Sequence, residues 1–385
     1  MALLLFVTTV AARAQWQLQD SHSTADLRGI DNVGAGVAWA SGTKGTVLRT
    51  EDGGYLWQAC ALPPGADHLD FRGIQAFDSN TAIVMSSGKG DLSRLYKTTD
   101  GCQTWKLVFT NPDKDGFWDS ILVTSRRTVM MIGDPLPQKE FDRFKVKTYF
   151  HFPFFGSVDA GDTWRRLDSN NLFALSDSHG NPTQFIYAAS NSSLLEIESH
   201  RLIVFAKGGA APSIGQLQFI DNANPLLCRS QCTLISDSKV PLKSGPTAGA
   251  FSVAIDDPNS AEPSVVVVGG DYARPDDPGG TSASCFPDRG MPTVEYFHCD
   301  APATPPHGFR SAVAYDTASK TWITVGPNGT DISTDDGKNW RALHPGPNDP
   351  PDADRNWNAL SLPFVVGPHG RIGKLNPHAL TNTAK

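Results

Sequence analysis

The chain has 385 residues, with 35 glycines and 28 prolines spread along it, 19% charged residues and 39% hydrophobic ones. So much apolar material with so little charge excludes a disordered chain, and breakers this frequent exclude one built from long helices. A net charge of −7 gives no basic footprint for nucleic acid. What remains is an all-β protein rich in turns.

In chain order, the first feature is the apolar run Met1 to Ala12, followed by Ala12-Arg13-Ala14. Small residues at −3 and −1 predict a signal peptide, residues 1–14, cleaved after Ala14. The run falls well short of the roughly 20 residues that span a membrane, so no transmembrane segment is expected. The mature chain, residues 15–385, reads as one exported, periplasmic or extracellular, monomeric domain.

From Leu27 onward a pattern repeats. Strand-opening segments occur at Leu27-Arg-Gly-Ile30, Phe71-Arg-Gly-Ile74, Phe117-Trp-Asp-Ser-Ile121, Ser193-Leu-Leu-Glu-Ile197, Phe251-Ser-Val-Ala-Ile255, Phe309-Arg-Ser-Ala-Val313 and Trp357-Asn-Ala-Leu360. Second strands follow, such as Val37-Ala-Trp-Ala40, Ala82-Ile-Val-Met85, Val265-Val-Val-Val268 and Trp322-Ile-Thr-Val325. Spaced openings of this kind predict a seven-bladed β-propeller of four-stranded blades. The last blade has room for only about three strands, so the N-terminal segment Gln15-Trp16-Gln-Leu18 is expected to supply its fourth and close the ring.

Four turns share the pattern Ser/Thr-x-Asp-x-Gly-x-x-Trp. They run Thr50 to Trp57 with Asp52, Thr98 to Trp105 with Asp100, Ser157 to Trp164 with Asp159, and Ser333 to Trp340 with Asp335. In the second turn Cys102 stands where the others have glycine. The carboxylate accepts backbone N–H groups, the glycine permits positive φ and the tryptophan packs the turn on the sheet, a structural role. These turns resemble the Asp-box (BNR) repeat.

Cys60, Cys102, Cys228, Cys232, Cys285 and Cys299 are even in number and fit an oxidising compartment. No segment has the spacing of a zinc site. Cys228/Cys232 and Cys285/Cys299 are each expected to staple the loop that replaces a missing Asp-box turn.

The mature chain as a whole resembles the photosystem II stability/assembly factor family of propellers, in its bacterial non-photosynthetic branch often labelled "oxidoreductase". Besides the turns, the segments that carry this are Ala188 to Ser193, Ser244 to Ser252, Gly269-Gly-Asp271-Tyr272, Arg310 to Tyr315 and Gly326 to Asp331. The resemblance implies a binding or assembly scaffold for a protein or peptide partner rather than an enzyme. It also nominates Asn191, Asp271 and Tyr272 as binding residues.

No cofactor or metal is expected. Gly34-Ala-Gly36-Val-Ala-Trp39 has tryptophan where a dinucleotide loop needs its third glycine, and Gly88-Lys89 lacks the first glycine of a P-loop. Asn111-x-Asp113-x-Asp115-Gly116 begins like an EF-hand, but Leu122 stands where glutamate is required. Asp349, Asp352 and Asp354 read as a solvated loop.

Arg28, Arg72 and Arg310 occupy the same place in three opening strands, the strands that line a propeller's channel. They suit an anionic group on a partner, or they pair with acids such as Asp26, Asp70 and Asp119. The alternative is a sialidase-like glycoside hydrolase, for which Tyr272, Glu295 and Tyr296 are conceivable catalytic groups.

Overall fold

The computed structural model describes residues 15–381 except 126, 143–144, 168–171, 189, 220–231, 289–295, 347–348 and 377. Among the described residues the only α-helix is the single turn His378–Thr381, and no helix is long and apolar enough to cross a membrane.

Antiparallel four-stranded sheets follow one another along the chain. The first comprises Leu27–Gly34, Val37–Gly42, Val47–Thr50 and Gln58–Ala59. The second runs from Phe71–Ala76 to Lys106–Thr110, and the third from Trp118–Val123 to Arg165–Arg166. A nine-stranded sheet then holds two four-stranded ladders, Leu194–Ile197 to Cys232–Lys239 and Ala248–Ile255 to Phe297–Asp300. They are joined by the single pairing Gly208↔Gly249. A sheet from Ala312–Asp316 to Arg341–Leu343 and a final one from Ala359–Ser361 complete the series.

Sequence sets the order of strands within a sheet. The second strands Ala82–Ser86, Val129–Gly133 and Val265–Asp271 are buried at every residue, because neighbouring sheets cover both their faces. Fourth strands such as Gln58–Ala59 and Arg165–Arg166 are exposed. Each successive pair of sheets shares one apolar cluster. Trp39 and Val47 pack with Phe71 and Tyr96, Ile83 and Leu95 with Trp118 and Phe155, and Ile332 and Leu343 with Trp357 and Val365. The cluster that joins Leu27 and Leu48 to Phe364 and Ile372 closes the ring, and the fold is a β-propeller.

Closure uses the N-terminal strand, as the sequence predicts. Trp16–Gln19 pairs antiparallel with Ile372–Leu375, Trp16 opposite Leu375. Trp16 is 1% exposed, lies 6.0 Å from Trp357 and donates its indole N–H to Thr330 Oγ1 at 3.0 Å.

The four aspartate turns fold alike. Their Ser/Thr hydroxyls donate to the carboxylates of Asp52, Asp100, Asp159 and Asp335 at 2.7–2.9 Å. The N–H four residues after the Ser/Thr returns to that hydroxyl, and the N–H six residues after donates to the carboxylate. Two successive residues take positive φ, as in Gly53 (76°) and Gly54 (90°). Hydrogen bonds from Thr104 and Thr98 hold Asp100 down at about 2. Trp57, Trp105 and Trp340 are buried beneath their turns, and Trp164 is partly so.

Cys102, at φ 63°, accepts the left-handed conformation and joins Cys60 in a disulfide. This bridge ties the outer edge of the first sheet to the turn of the second. Cys285 and Cys299 also pair, but as direct cross-strand partners within one sheet. The loop this bridge is expected to staple includes residues 289–295, which lie outside the described residues. Of the expected Cys228–Cys232 bridge, Cys228 lies outside the described residues.

Candidate functional site

Four inner strands begin with a β-bulge. Their register slips by one residue between Leu27 and Gly29, Phe71 and Gly73, Trp118 and Ser120, and Ala250 and Ser252. The extra residues are Arg28, Arg72, Asp119 and Phe251. A bulge re-aims the side chain it carries. Arg28 and Arg72 meet at Asp70, the Arg72 charge acts on Asp119, and residues 187–188 link Arg72 to Phe251, so the four mark one end of the inner strands, the mouth.

Arg28 and Arg72 share one carboxylate. Arg72 Nε donates to Asp70 Oδ2 at 2.9 Å, and Arg28 Nε lies 3.6 Å from Asp70 Oδ1 as an ion pair. Their side chains are 31% and 32% exposed. Arg72 Nη1 also donates to the carbonyl of Ala188 at 3.3 Å.

Asp119 is 1% exposed. Burial and the charge of Asp134 push its acid well above the ordinary carboxylate range, outweighing Arg72 and nearby backbone amides. Asp134, at the end of the adjoining strand, accepts the N–H of Ile186 at 3.3 Å, and burial raises it to about 7. Residues 186–188 thus hang between the second and third sheets, on Asp134 and Arg72.

Tyr187, in the middle of that segment, stacks on Phe251 with centroids 4.0 Å apart and planes at 3°. Tyr272 and Phe309 meet Phe251 edge-on at 6.0 and 4.8 Å. The Tyr187 ring lies against Gly208, where a Cβ would come within 2.1 Å of it. Tyr272, 49% exposed, is the open face of this group.

Asp271 anchors it. Burial alone would raise this acid, but Thr247 Oγ1 at 2.7 Å, Arg274 Nε at 2.8 Å and the N–H of Ala273 hold it below its ordinary value.

Two expected binding residues are placed otherwise. Arg310 does not line the mouth with the other arginines. It is 0% exposed, bound to Asp331 at 2.7 Å and donating to the carbonyl of Gly329 at 2.8 Å. Asp331 also meets His307 Nδ1 at 2.9 Å. Arg310 is therefore an internal brace rather than a contact for a partner. Asn191 is likewise buried, at φ 60°, with its Oδ1 accepting the N–H of Ile121 at 2.9 Å and its Nδ2 donating to the carbonyl of Ile74 at 3.3 Å. It clamps two inner strands together.

The EF-hand-like acids are taken by cations, Asp113 by Arg166 and Asp115 by Lys89. Asp352 pairs with Arg371, and Asp354 is buried at 4% exposure. Among the described residues no group of three metal-ligating side chains converges. Glu295 lies outside the described residues.

Two solved structures match over nearly the whole chain. The structure "YCF48 bound to D1 peptide" gives a TM-score of 0.58 at 14% identity, covering 94% of this chain and 97% of that one. YCF48 from Cyanidioschyzon merolae gives 0.56 at 16% identity, covering 95% and 100%. This is the YCF48 propeller fold. YCF48 is a photosystem II assembly factor, and at these identities the likeness to it is one of fold. No family model matches the chain, and no curated protein matches it.

Of the expected binding residues, Arg28, Arg72 and Tyr272 keep exposed surface, whereas Arg310, Asn191 and Asp271 are buried; Asp134, Tyr187 and Phe251, which lie among them, were not named as binding residues from the sequence. The shared signal is register. Arg28, Arg72, Asp119 and Phe251 are each the extra residue of a bulge, yet they stand second, second, third and first in their opening motifs, so the column they share shows in strand pairing and not in the motif spacing.

Proposed function

We propose that residues 15–385 form one exported, seven-bladed, monomeric propeller that serves as a binding scaffold. Its partner is a segment of another protein, held across the mouth by Arg28, Arg72 and Tyr272. The observation that carries this reading is that two guanidinium groups share the single carboxylate of Asp70 yet stay about one-third exposed. The mouth therefore keeps positive charge on a chain whose net charge is −7, and guanidinium is the group best suited to a carboxylate. Counting the two ladders of the nine-stranded sheet separately supports seven blades. Two disulfides and the Ala12-Arg13-Ala14 sequence support export. A YCF48 structure bound to a peptide supports a peptide as the occupant.

The test is fluorescence anisotropy with a library of peptides ending in a free carboxylate. The Arg28→Gln/Arg72→Gln variant should bind the best peptide at least about tenfold more weakly, and amidating that peptide should cost a similar factor. Equal affinity in the double variant rejects the reading.

One observation favours a hydrolase as second reading, the pair of acids Asp119 and Asp134 with raised protonation ranges in the mouth. That reading requires turnover of a chromogenic glycoside panel, abolished in Asp134→Asn. No turnover by the wild-type protein ends it.

A further inference from the structure

Between the second and third strands of the third sheet the chain inserts a long hairpin, Leu136–Asp142 paired with Lys145–His151. This hairpin, the loop at residues 112–115 and the edge of the sheet enclose a cleft of about 1050 Å³. That volume matches small-molecule sites, about 300–1,000 Å³. It lies beside the third sheet and uses neither Arg28, Arg72 nor Tyr272.

Three features define what would fit. The first is charge. The two acids at the rim are already neutralised, Asp113 by Arg166 and Asp115 by Lys89 at 2.8 Å. Lys114 and Lys139, on the two walls, form no close ion pair among the described residues, although the Lys114 charge also acts on Asp115. The cleft thus offers positive charge to an anion.

The second is an aromatic wall. Tyr149 and Phe173 lie 5.5 Å apart with their rings tilted by 46°, and Phe173 is 43% exposed. Flat apolar faces of this kind suit the C–H face of a pyranose ring.

The third is a lone acceptor. His151 Nδ1 is buried without a hydrogen-bond partner. Burial and the charge of Arg166 lower its titration range and favour the neutral ring, against the Asp113 charge and the Leu136 backbone. A neutral imidazole that donates at one nitrogen accepts at the other, and a buried acceptor left unmet is costly. A ligand hydroxyl satisfies it.

We propose that this cleft binds an acidic carbohydrate, its carboxylate between Lys114 and Lys139, its ring face on Tyr149 and Phe173 and a hydroxyl donating to His151. A neutral sugar leaves the lysines without an anion. An acidic peptide supplies the anion but neither the flat C–H face nor the hydroxyl.

Isothermal titration of the full mature protein with digalacturonate tests this, with neutral galactobiose and an Asp-Glu tetrapeptide as competing probes. Digalacturonate should bind at least about tenfold more tightly than either. Lys114→Glu/Lys139→Glu should abolish binding, and Phe173→Ala should weaken it about five- to twentyfold. All three residues are exposed, so melting temperatures should not move, which separates lost binding from lost folding. Arg28→Gln/Arg72→Gln should leave this binding intact, whatever becomes of the mouth. Absence of binding at millimolar digalacturonate, equal binding of galactobiose or of the tetrapeptide, or wild-type affinity in the lysine variant each overturns the proposal.

Discussion

Asp134 and His307 put opposite kinds of charge under the control of the fold, and both tie stability to pH. Burial raises Asp134 to about 7, so the folded protein holds a proton there that the unfolded chain releases near pH 4. Stability is then greatest below that range and falls as pH rises toward 7. Asp134→Asn keeps an acceptor for the N–H of Ile186 and removes the charge. Denaturant titrations from pH 4.5 to 8 should give the variant a flatter profile, with greater stability than wild type at pH 8. A variant as pH-dependent as wild type would reject burial as the cause. For His307, the hydrogen bond to Asp331 raises the imidazole, while burial and the Arg310 charge oppose it. Its contribution is complete below the ordinary histidine value of about 6.5 and is lost as pH climbs through the raised one. His307→Gln should therefore lose the part of the melting-temperature decline that lies above about pH 6.5. At this scale the sequence was least legible. A motif places Arg310 in the same slot as Arg28 and Arg72, but a slot does not record direction. The buried carboxylate of Asp331, which captures Arg310, comes from the strand Gly329–Ser333, about 20 residues further on.

The turns are the most legible elements, because each carries its whole hydrogen-bond network within eight residues. Even the departure at Cys102 has a local cause. The position needs positive φ, which glycine meets freely and cysteine does not, and Cys102 holds φ 63° as one end of a bridge to Cys60. The pairing itself joins two sheets across a sequence separation of 42, so no local pattern reveals it. Two effects should separate on mutation. Cys60→Ala removes the bridge and leaves cysteine strained in the turn. It should cost about 2–4 kcal/mol, the usual range for a disulfide closing a loop of this size. Cys60→Ala/Cys102→Gly removes the bridge too but restores the residue the turn prefers, and should recover about 0.5–1 kcal/mol. Guanidinium denaturation of both variants and of the oxidised protein tests this order. A double variant less stable than the single one would show that the turn gains nothing from glycine here. The hairpin Leu136–His151 was invisible for the opposite reason, since an insertion interrupts the repeat that made its surroundings readable.

The ring as a whole was legible because a propeller repeats. Opening strands recur along the chain, and a last unit one strand short demands a strand from elsewhere. Trp16–Gln19 fills that place, and its removal bears on the entire molecule. Without it the strand Ile372–Leu375 becomes an open edge, the cluster around Trp357 loses Trp16, and Thr330 loses the indole N–H. Truncating a buried tryptophan typically costs about 3–5 kcal/mol, so Trp16→Ala should lower stability by that order in denaturant titrations. A protein that starts at Ser21 should lose more, because the ladder goes as well. An edge strand left free is also a template for another chain. A synthetic peptide of residues 15–20 should therefore bind the truncated protein and raise its melting temperature in proportion to the logarithm of peptide concentration. The same peptide with Trp16 replaced by alanine should not. Rescue by the intact peptide means that the ring closes by strand pairing plus one tryptophan. If neither peptide acts, the terminal strand is needed while the ring assembles rather than afterwards.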